Sequence, residues 1–392
     1  MENGIHQYRA IYREWRPKTF GDIVGQDAIT TALKNQILSG RIGHAYLFCG
    51  SRGTGKTTTA RVFARAVNCL SPVDGYEPCG KCEMCRDILA DTCMDVVEID
   101  AASNNSVDQV RDLRDKVVYP PAKAKKKVYI IDEVHQLSSG AFNALLKTLE
   151  EPPEHALFLL ATTDPGKLPA TVLSRCQRFD LKRYSVQVLA KQLRKVVDGE
   201  GIAAQDEALF EIARAASGGM RDALSLLEMC MSFGAGELTL SGVREAIGTS
   251  NPEFLFSFAE ALIRDDVAAA LKAVDDSMLE GRDPRSLAGE MTSHLRDLML
   301  IKAMGTVSEE EAAEILECTL DDAGNYIRQA ARAESDKLMR MMELFMRVEA
   351  EMKDASLPQT KLEMCVFLCC RPSEQLRLDA LAERVTKLEK RL

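Results

Sequence analysis

The sequence predicts an α/β domain built on a parallel sheet, followed by domains that are entirely helical. Short apolar runs alternate with helical periodicity up to about residue 181, whereas we expect no further strand beyond Lys182. A glycine-rich loop follows the first apolar run and precedes a helical pattern, as in phosphate-binding folds. The predicted strands are Ala45–Cys49, Val96–Ile99, Lys127–Ile131 and Ala156–Ala161.

Length and composition are those of an ordinary globular protein. The 392 residues allow two or three domains, and 28% of them are charged while 46% are apolar. The formal net charge of -9 argues against a surface that wraps nucleic acid on all sides, but it is compatible with a local basic face. The N-terminus has no signal-peptide pattern and no long apolar run follows, so we expect a cytoplasmic protein with no membrane segment.

The most specific motif is the segment G-S-R-G-T-G-K-T, which begins at Gly50. Its glycines allow backbone N–H groups to wrap a polyphosphate at the N-terminus of the predicted helix Thr58–Val67. Lys56 supplies a point charge for the outer phosphates, and Thr57 offers a hydroxyl to Mg²⁺. A glycine turn that only joins strand to helix is the weaker alternative. The predicted nucleotide-binding residues of this loop are Gly50, Ser51, Arg52, Gly53, Thr54, Gly55, Lys56 and Thr57.

A second motif places two carboxylates at the end of an apolar strand. Asp132 would hold Mg²⁺ through its water shell, and Glu133 would polarise the attacking water. A solvated acidic turn after a buried strand is the alternative, which the phosphate loop upstream makes less favoured. Together the two motifs predict hydrolysis of a nucleoside triphosphate.

Three further residues are weaker candidates for catalysis. Thr163 follows the strand Ala156–Ala161, where a hydroxyl is suited to orient water. Arg175 follows on a helix-like stretch, and Arg221 opens a helix after two glycines. Phosphoryl transfer uses cations of this kind to neutralise developing charge, often from a neighbouring protein surface.

Four of the twelve cysteines form a C-x9-C-x2-C-x2-C pattern. Thiolates at this spacing suit tetrahedral Zn²⁺, and four protein ligands leave no open position, so a structural role is expected. An iron–sulfur cluster and a disulfide pair are the alternatives, and neither suits a cytosolic ATPase with no electron-transfer partner in view. The predicted zinc ligands are Cys69, Cys79, Cys82 and Cys85.

Beyond the first domain the pattern predicts consecutive helices with two boundaries. Residues 182–249 form a second, helical domain, and Pro252 supports a boundary before residues 250–371. In residues 372–392, leucines and a valine recur at three- and four-residue steps, which predicts an amphipathic helix or a short coiled coil. The predicted helices are Ser185–Glu200, Gln205–Ala216, Met220–Ser232, Phe254–Arg264, Asp266–Glu280, Pro284–Met304, Asp321–Ala333 and Ser335–Asp354.

Two segments are candidates for contact with nucleic acid. The basic run at Lys123, Lys125, Lys126 and Lys127 is better explained as a solvated loop than as a DNA contact. The segment Ser103–Ser106 opens the predicted helix Val107–Val118, whose N-terminal N–H groups are suited to bind phosphates.

These motifs together resemble the gamma/tau subunits of the bacterial DNA polymerase III clamp loader, a family of AAA+ ATPases. The resemblance covers about the first 370 residues, and its combination of motifs is specific. It is carried by Tyr12–Phe20, Val24–Gln26, the phosphate loop, Asp132–His135, Thr163, Ser174–Cys176 and Gly219–Asp222.

The resemblance implies roles for several residues. Thr163 would be sensor 1, Arg221 sensor 2, and Arg175 the arginine finger that reaches the next subunit's ATP. Ile23 and Val24 would help line the adenine pocket. The family also carries a zinc module near residues 69–85, within an AAA+ domain at residues 1–181. Residues 182–249 would form the lid, and residues 250–371 the collar that holds subunits together.

The resemblance further implies a function and partners. ATP and Mg²⁺ would drive opening of the sliding clamp (beta) and its loading on primer–template DNA, alongside delta, delta-prime and further gamma/tau copies. Another AAA+ DNA motor, such as a branch-migration helicase, is an alternative that the cysteine insertion disfavours. A scaffold that binds ATP without hydrolysis is a second alternative, which the intact Lys56, Thr57, Asp132 and Glu133 disfavour.

Overall fold

The structure is a computed structural model that describes residues 10–105, 107–234, 236–248 and 250–371. The chain divides into two compact units, Met1–Val243 and Arg244–Leu392, and each is described by itself. Ser106 and the predicted amphipathic tail at residues 372–392 lie outside the described residues. The boundaries of the four predicted segments, 1–181, 182–249, 250–371 and 372–392, stay predictions.

The first unit is built on a five-stranded sheet in the order β2-β3-β4-β1-β5, and all of its strand pairs are parallel. The residues of β4 are buried throughout, and so are those of β1, as expected for strands covered by helices on both faces. The predicted α/β class with a parallel sheet is therefore confirmed. The strands are β1 Ala45–Cys49, β2 Val96–Asp100, β3 Lys127–Asp132, β4 Ala156–Thr162 and β5 Gln177–Asp180.

Strand β5, which lies before Lys182, was not predicted. The sequence of β5 is polar and largely exposed because it lies at an edge of the sheet, so it carries no apolar run. Two short strands, β6 at Ala203–Ala204 and β7 at Glu237–Leu238, pair in parallel inside the otherwise helical region. The expectation of no strand beyond Lys182 was therefore wrong. A two-residue strand is too short to give a periodic signal.

Helices flank the sheet, and their ends follow local capping chemistry. The hydroxyl of Ser185 caps one helix by accepting from the N–H of Val188, and Gly201 ends it in a left-handed conformation. Three short 3₁₀ helices lie at Phe20–Asp22, Val134–Gln136 and Pro165–Lys167. The α-helices are α1 Ile11–Glu14, α2 Asp27–Ser39, α3 Lys56–Asn68, α4 Glu83–Leu89, α5 Val107–Val117, α6 Ser139–Glu150, α7 Ala170–Leu173, α8 Val186–Glu200, α9 Asp206–Ala215, α10 Met220–Phe233 and α11 Leu240–Ile247.

The described part of the second unit is entirely helical and has its own apolar core, in which Phe258, Met291 and Phe345 are almost fully buried. Asn251 caps its first long helix and Pro252 occupies the first turn, so the helix begins two residues before the predicted start at Phe254. No helix among the described residues is both long and apolar enough to cross a membrane. The helices are α12 Pro252–Ile263, α13 Val267–Leu279, α14 Pro284–Met304, α15 Glu309–Leu316, α16 Leu320–Arg332, α17 Ser335–Met352 and α18 Pro358–Cys369.

A buried polar network crosses this core. Nε2 of His294 lies 2.9 Å from Oε1 of Gln329, and the hydroxyl of Tyr326 lies 3.2 Å from Nδ1 of the same ring. The amide of Gln329 in turn donates to the carbonyl of Phe256 at 2.8 Å. Because that contact identifies Oε1 as the acceptor end of the amide, Nε2 of His294 carries a proton, and in the neutral ring Nδ1 accepts from the hydroxyl of Tyr326.

Candidate functional site

A large cleft of about 1500 Å³ opens in the first unit at the carboxyl edge of the sheet. Since only β4 separates β1 from β3 in the sheet, the phosphate loop that follows β1 lies close to the carboxylates at the end of β3. The cleft therefore unites two motifs that are about 75 residues apart in the sequence. Its lining includes the predicted residues Ile23, Val24, Arg52, Gly53, Gly55, Lys56, Thr57, Asp132, Glu133 and Arg221.

The phosphate loop has the backbone that its glycines allow. Gly53 and Gly55 have φ angles of 78° and 92°, which side chains with a Cβ rarely adopt. Lys56 is only 6% exposed, and its ammonium group donates to the carbonyl of Ser51 at 3.0 Å. Burial lowers the pKa of Lys56, while Glu133 and Asp132 act in the opposite direction. The lysine is therefore held inside the cleft, close to both carboxylates.

The hydroxyl of Thr57 and the carboxylate of Asp132 form a pair. Oγ1 of Thr57 donates to Oδ2 of Asp132 at 2.7 Å. A threonine hydroxyl beside an aspartate is an oxygen donor set of the kind that Mg²⁺ takes beside nucleotide phosphates. The chemistry of these residues thus fits the predicted metal.

Glu133 is held by two donors from the neighbouring strand end. Its Oε2 accepts from the hydroxyl of Thr163 at 2.8 Å and from the N–H of the same residue at 3.1 Å. Glu133 itself has a φ of 45°, an uncommon conformation for a residue with a side chain. Thr163 does not line the cleft, so it reaches the site through Glu133.

His135 is a neighbour of Glu133 that we did not single out from the sequence. Its Nδ1 lies 3.4 Å from Oε2 of Glu133 and 3.0 Å from Oγ1 of Thr162. The hydroxyl of Thr162 also accepts from the N–H of Asp164. Only the closeness of His135 to Glu133 in the sequence signals this contact.

Helix α10 begins directly on the phosphate loop. The N–H of Met220 donates to the carbonyl of Gly53 at 3.0 Å. A Cβ on Gly53 would lie 2.8 Å from Cα of Gly219, so the two backbones approach as closely as glycines permit. The guanidinium of Arg221 lies 4.8 Å from the centre of the Tyr12 ring, at the cleft wall.

Tyr184, which we did not single out from the sequence, contacts the loop from the other side, and Gln26 contacts the segment just before Tyr184. The hydroxyl of Tyr184 donates to the carbonyl of Thr54 at 3.0 Å, and its N–H donates to the carbonyl of Gly218. The side chain of Gln26 exchanges two hydrogen bonds with the backbone of Lys182. No local pattern announces these contacts, because each partner lies more than 30 residues away.

Arg175 lies away from this cleft. It follows two residues after the end of α7, so the expected helix-like stretch is corrected to a turn that precedes β5. Its guanidinium pairs with Oε1 of Glu150 at 2.9 Å and donates to the carbonyl of Thr171 at 2.8 Å. Gly50, Ser51 and Thr54 also lie outside the lining, within the loop itself.

The four predicted cysteines converge at the C-terminal end of α3. Their Sγ atoms all lie within 4.8 Å of one another, which suits a tetrahedral thiolate site. Cys69 follows the last residue of α3, Cys82 caps α4, and Cys85 lies inside α4. All twelve cysteines are free, so a disulfide is not present in the cluster.

Backbone N–H donors lower the pKa of one thiol in the cluster, whereas burial raises the pKa of another. Sγ atoms of Cys69, Cys79 and Cys82 accept backbone N–H groups at 3.3 to 3.4 Å. N–H groups of Lys81 and Cys82 lower the pKa of Cys79 to about 6. Burial raises the pKa of the inner Cys85. Cys79 is thus more readily deprotonated to the thiolate form that binds a metal ion.

The basic run contacts the protein itself. Lys123 pairs with Glu83, and Lys125 donates to the carbonyl of Cys69 at 2.6 Å. Lys126 and Lys127 also donate to backbone carbonyls. Asp95 holds the same loop by accepting three consecutive N–H groups, from Ala122, Lys123 and Ala124. The run therefore joins the cysteine cluster to the start of β3.

The segment predicted to face DNA is described only in part. The side chains of Ser103 and Asn104 both bond to Asp100, at the end of β2, and Asn104 lines the cleft. Ser106 and the side chains that open α5 lie outside the described residues. Contact with DNA stays a prediction.

Three family profiles match successive parts of the chain. The profile described as DNA polymerase III, delta subunit, matches residues 25–185. The profile for the ATPase lid domain of the DNA polymerase III clamp loader subunit matches residues 188–236. The profile for domain III of DNA polymerase III subunits gamma and tau matches residues 238–385.

Solved structures resemble the fold at low identity. The RuvB Holliday junction branch migration motor of Thermotoga maritima is 20% identical with a TM-score of 0.47, over 81% of this chain and 91% of that chain. The clamp loader delta protein of Bacillus subtilis is 14% identical with a TM-score of 0.38, over 87% of this chain and 99% of that chain.

Two tau subunits of DNA polymerase III are much more similar to this chain in sequence. The tau subunit of DNA polymerase III from Bacillus subtilis is 43% identical over 389 residues, which are 97% of this chain and 68% of the relative. The tau subunit from Escherichia coli is 45% identical over 75% of this chain and 46% of the relative. The chain thus spans about two thirds of the first relative and about half of the second. It belongs to the gamma/tau family of DNA polymerase III clamp-loader ATPase subunits, which confirms the resemblance.

Proposed function

We propose that this chain binds and hydrolyses ATP to open a ring-shaped sliding clamp and to load it on primer–template DNA. The observation that carries the proposal is the convergence of Lys56, Thr57, Asp132 and Glu133 at one cleft in a member of the clamp-loader family. A scaffold that only binds nucleotide would not need Glu133 oriented by a dedicated hydroxyl.

In this proposal each residue of the cleft has a separate task. Backbone N–H groups of the loop at residues 50–57 cradle the phosphates, and Lys56 contacts the outer ones. Thr57 and Asp132 hold Mg²⁺, which neutralises phosphate charge when it is bound. Glu133 accepts hydrogen bonds from Thr163 and is thereby oriented to polarise the attacking water.

The base and sugar of the nucleotide would lie along the rest of the cleft. Ile23 and Val24 line it and supply an apolar surface for adenine. Arg221 lies at the start of α10, so its contact with a nucleotide would change the position of α10. Such a contact provides the differential affinity by which a nucleotide shifts a conformational equilibrium.

Arg175 is proposed to act on a neighbouring subunit. It is absent from the lining of its own cleft, and its pairing with Glu150 holds it on a partly exposed surface. An arginine in this setting is suited to complete the ATP site of an adjacent gamma/tau copy or of a related subunit. Delta, delta-prime and the clamp (beta) are the further partners in this proposal.

The cysteine cluster is proposed to hold a structural Zn²⁺. Cys69, Cys79, Cys82 and Cys85 supply four thiolate donors, which fill a tetrahedral shell and leave no position for a substrate. The metal would fix the end of α3, whose other end carries Lys56. We expect chelation to lower the melting temperature of the chain.

The test is ATP turnover by the purified chain with its delta and delta-prime partners, with and without clamp and primed DNA. We expect clamp and DNA together to stimulate turnover. Lys56→Ala should lose nucleotide binding, whereas Glu133→Gln should keep binding and lose about 10² to 10⁴ in turnover. A Glu133→Gln variant that turns over ATP normally would remove the proposed role of Glu133.

The same assay tests whether Arg175 acts on the ATP site of a neighbouring subunit. Arg175→Ala should keep nucleotide binding in the isolated chain but lose the stimulated turnover of the assembly. Mixing Arg175→Ala with Glu133→Gln copies is a control, because a finger that acts on a neighbour allows partial recovery of turnover. Unchanged stimulated turnover in Arg175→Ala would contradict the assignment.

A further inference from the structure

Arg65 is a largely buried residue to which the proposed nucleotide chemistry assigns no role, although it is among the residues that line the cleft. It lies in α3 and is only 4% exposed. Its Nε has no hydrogen-bond partner, and none of the described carboxylates forms an ion pair with it. Burial of most of a guanidinium is costly unless an opposite charge lies nearby.

The position of Arg65 points to the cysteine cluster. Cys69 follows it by four residues, which places the two on the same side of the helix axis. Helix α3 also packs against α4, which carries the buried Cys85. Arg65 therefore lies between the phosphate loop and the thiols, on the helix that connects them.

Two carboxylates lie in the same region, but both are already satisfied by backbone donors. Asp22 accepts the N–H groups of Lys18 and Thr19, and Glu77 accepts those of Phe20 and Gly21. Lys34 also approaches Glu77, at 3.8 Å. Both acids therefore already have hydrogen-bond donors, and neither forms an ion pair with Arg65, so the thiols are a further group that can balance its charge.

Metal binding changes the charge of the cluster. Four thiolates around a divalent cation have a net charge of −2, whereas four neutral thiols have none. We propose that Arg65 is the buried counter-charge of the metal-loaded cysteine cluster, and that it increases the affinity of the cluster for Zn²⁺. This inference rests on the proposed zinc site and assigns a residue to its surroundings.

Burial makes Arg65 more effective than the other cation nearby. The ammonium of Lys125 donates to the carbonyl of Cys69, but this side chain is exposed, so solvent screens its charge. Arg65 is shielded from solvent over most of its surface, although it also lines the nucleotide cleft, so its charge is screened less than that of Lys125. Burial lowers the pKa of Arg65, and Cys85 is the strongest of the groups that oppose this change.

The experiment measures zinc affinity of the full chain by competition with a chromogenic chelator. Arg65→Met keeps an unbranched apolar stem without the charge, and Arg65→Lys keeps the charge. We expect Arg65→Met to weaken zinc binding by about 10- to 100-fold, and Arg65→Lys to stay within a few-fold of the unmutated chain. Arg61→Met is the matched control, since Arg61 is already paired with Glu98 and should leave zinc affinity unchanged.

Thermal melting separates a charge effect from a packing effect. In excess chelator Arg65→Met should melt at or above the temperature of the unmutated chain, because it removes an unbalanced buried charge. In zinc it should gain less stability than the unmutated chain gains. A chelated Arg65→Met variant that melts well below the chelated unmutated chain would show that Arg65 acts by packing, and would overturn the inference.

The remaining outcomes are also decisive. Equal zinc affinity in Arg65→Met and the unmutated chain overturns the role of Arg65 and leaves the zinc site standing. Equal losses in Arg65→Lys and Arg65→Met overturn it as well, because charge is then not what matters. An unmutated chain that retains no zinc overturns the proposed metal site and this inference together.

Discussion

The hydroxyl of Thr163 lies 2.8 Å from Oε2 of Glu133 and is its nearest side-chain donor among the described residues. The N–H of Thr163 reaches the same oxygen at 3.1 Å, so one residue orients the carboxylate through two bonds. His135 adds a third polar neighbour at 3.4 Å. The proposed catalytic carboxylate is therefore positioned by the end of β4, a strand adjacent to its own.

Removal of the Thr163 hydroxyl should reduce turnover more than nucleotide binding. We expect Thr163→Val to lower stimulated ATP turnover by about 10- to 100-fold, because Glu133 loses a donor that orients it. Thr163→Ser keeps the hydroxyl and is the matched control. Steady-state turnover and binding of a fluorescent ATP analogue are the measurements. Equal turnover in the two variants would contradict the role of the hydroxyl.

A methyl group on Gly53 should weaken nucleotide binding. Its Cβ would lie 2.8 Å from Cα of Gly219, so Gly53→Ala must move the start of α10 away from the loop. We expect a loss in ATP affinity of about tenfold or more, equivalent to about 1.4 kcal/mol.

Gly201→Ala is the control for backbone strain. Gly201 has a φ of 70°, yet no atom lies within 4 Å of its added Cβ. It should cost about 1 kcal/mol of stability and leave ATP affinity unchanged. Similar ATP affinities in Gly53→Ala and Gly201→Ala would show that contact between α10 and the loop is not needed for binding.

Replacement of Asp95 by asparagine should loosen the loop that leads to β3. The carboxylate accepts three N–H groups, and an amide of the same shape turns one acceptor into a donor that opposes them. We expect Asp95→Asn to lose about 1 to 3 kcal/mol of stability at neutral pH, measured by denaturant unfolding.

The effect of Asp95 should depend on pH in a defined direction. Burial raises its pKa, but the N–H groups of Ala124, Lys123 and Ala122 outweigh this, and the net pKa is lowered. The stability from Asp95 is therefore present above about pH 3.9 and is lost as pH falls through the lowered value. The difference between Asp95→Asn and the unmutated chain should narrow in that acidic range. A difference that stays constant there would contradict the role of the charge.

Disruption of the buried network in the second unit should destabilise that unit. Gln329→Leu removes the acceptor for Nε2–H of His294 and leaves a donor unsatisfied in the core. We expect a loss of about 1 to 3 kcal/mol, visible as a lower calorimetric transition. Gln359→Leu, which removes a bond to Glu363 nearer the surface, should change stability by less than about 0.5 kcal/mol. Equal effects would contradict the importance of the network.

Much of the fold could be predicted because local signals mark it. Helix ends were placed within about two residues where caps are explicit, as at Ser185 for α8 and at Pro284 for α14. The phosphate loop and the acidic strand end were predicted because their chemistry requires fixed residue types in sequence. The cysteine cluster was predicted from spacing alone.

The rest depends on contacts between distant parts of the chain. Strand β5 has an exposed polar sequence, so only its pairing with β1 reveals it. Tyr184 reaches the phosphate loop across 130 residues, and no local pattern points to it. The lysine run was a clear charge signal, but the fold turns its ammonium groups toward backbone carbonyls such as that of Cys69.

Polar side chains that we propose to contact the nucleotide and Mg²⁺ form hydrogen bonds within the protein. Lys56 is bound to Ser51, and Thr57 is bound to Asp132. Nucleotide entry is therefore an exchange of partners, and the measured affinity is the difference between the bonds gained and those given up. A neighbouring subunit that strengthens or loosens these internal pairs can retune that affinity without touching the nucleotide.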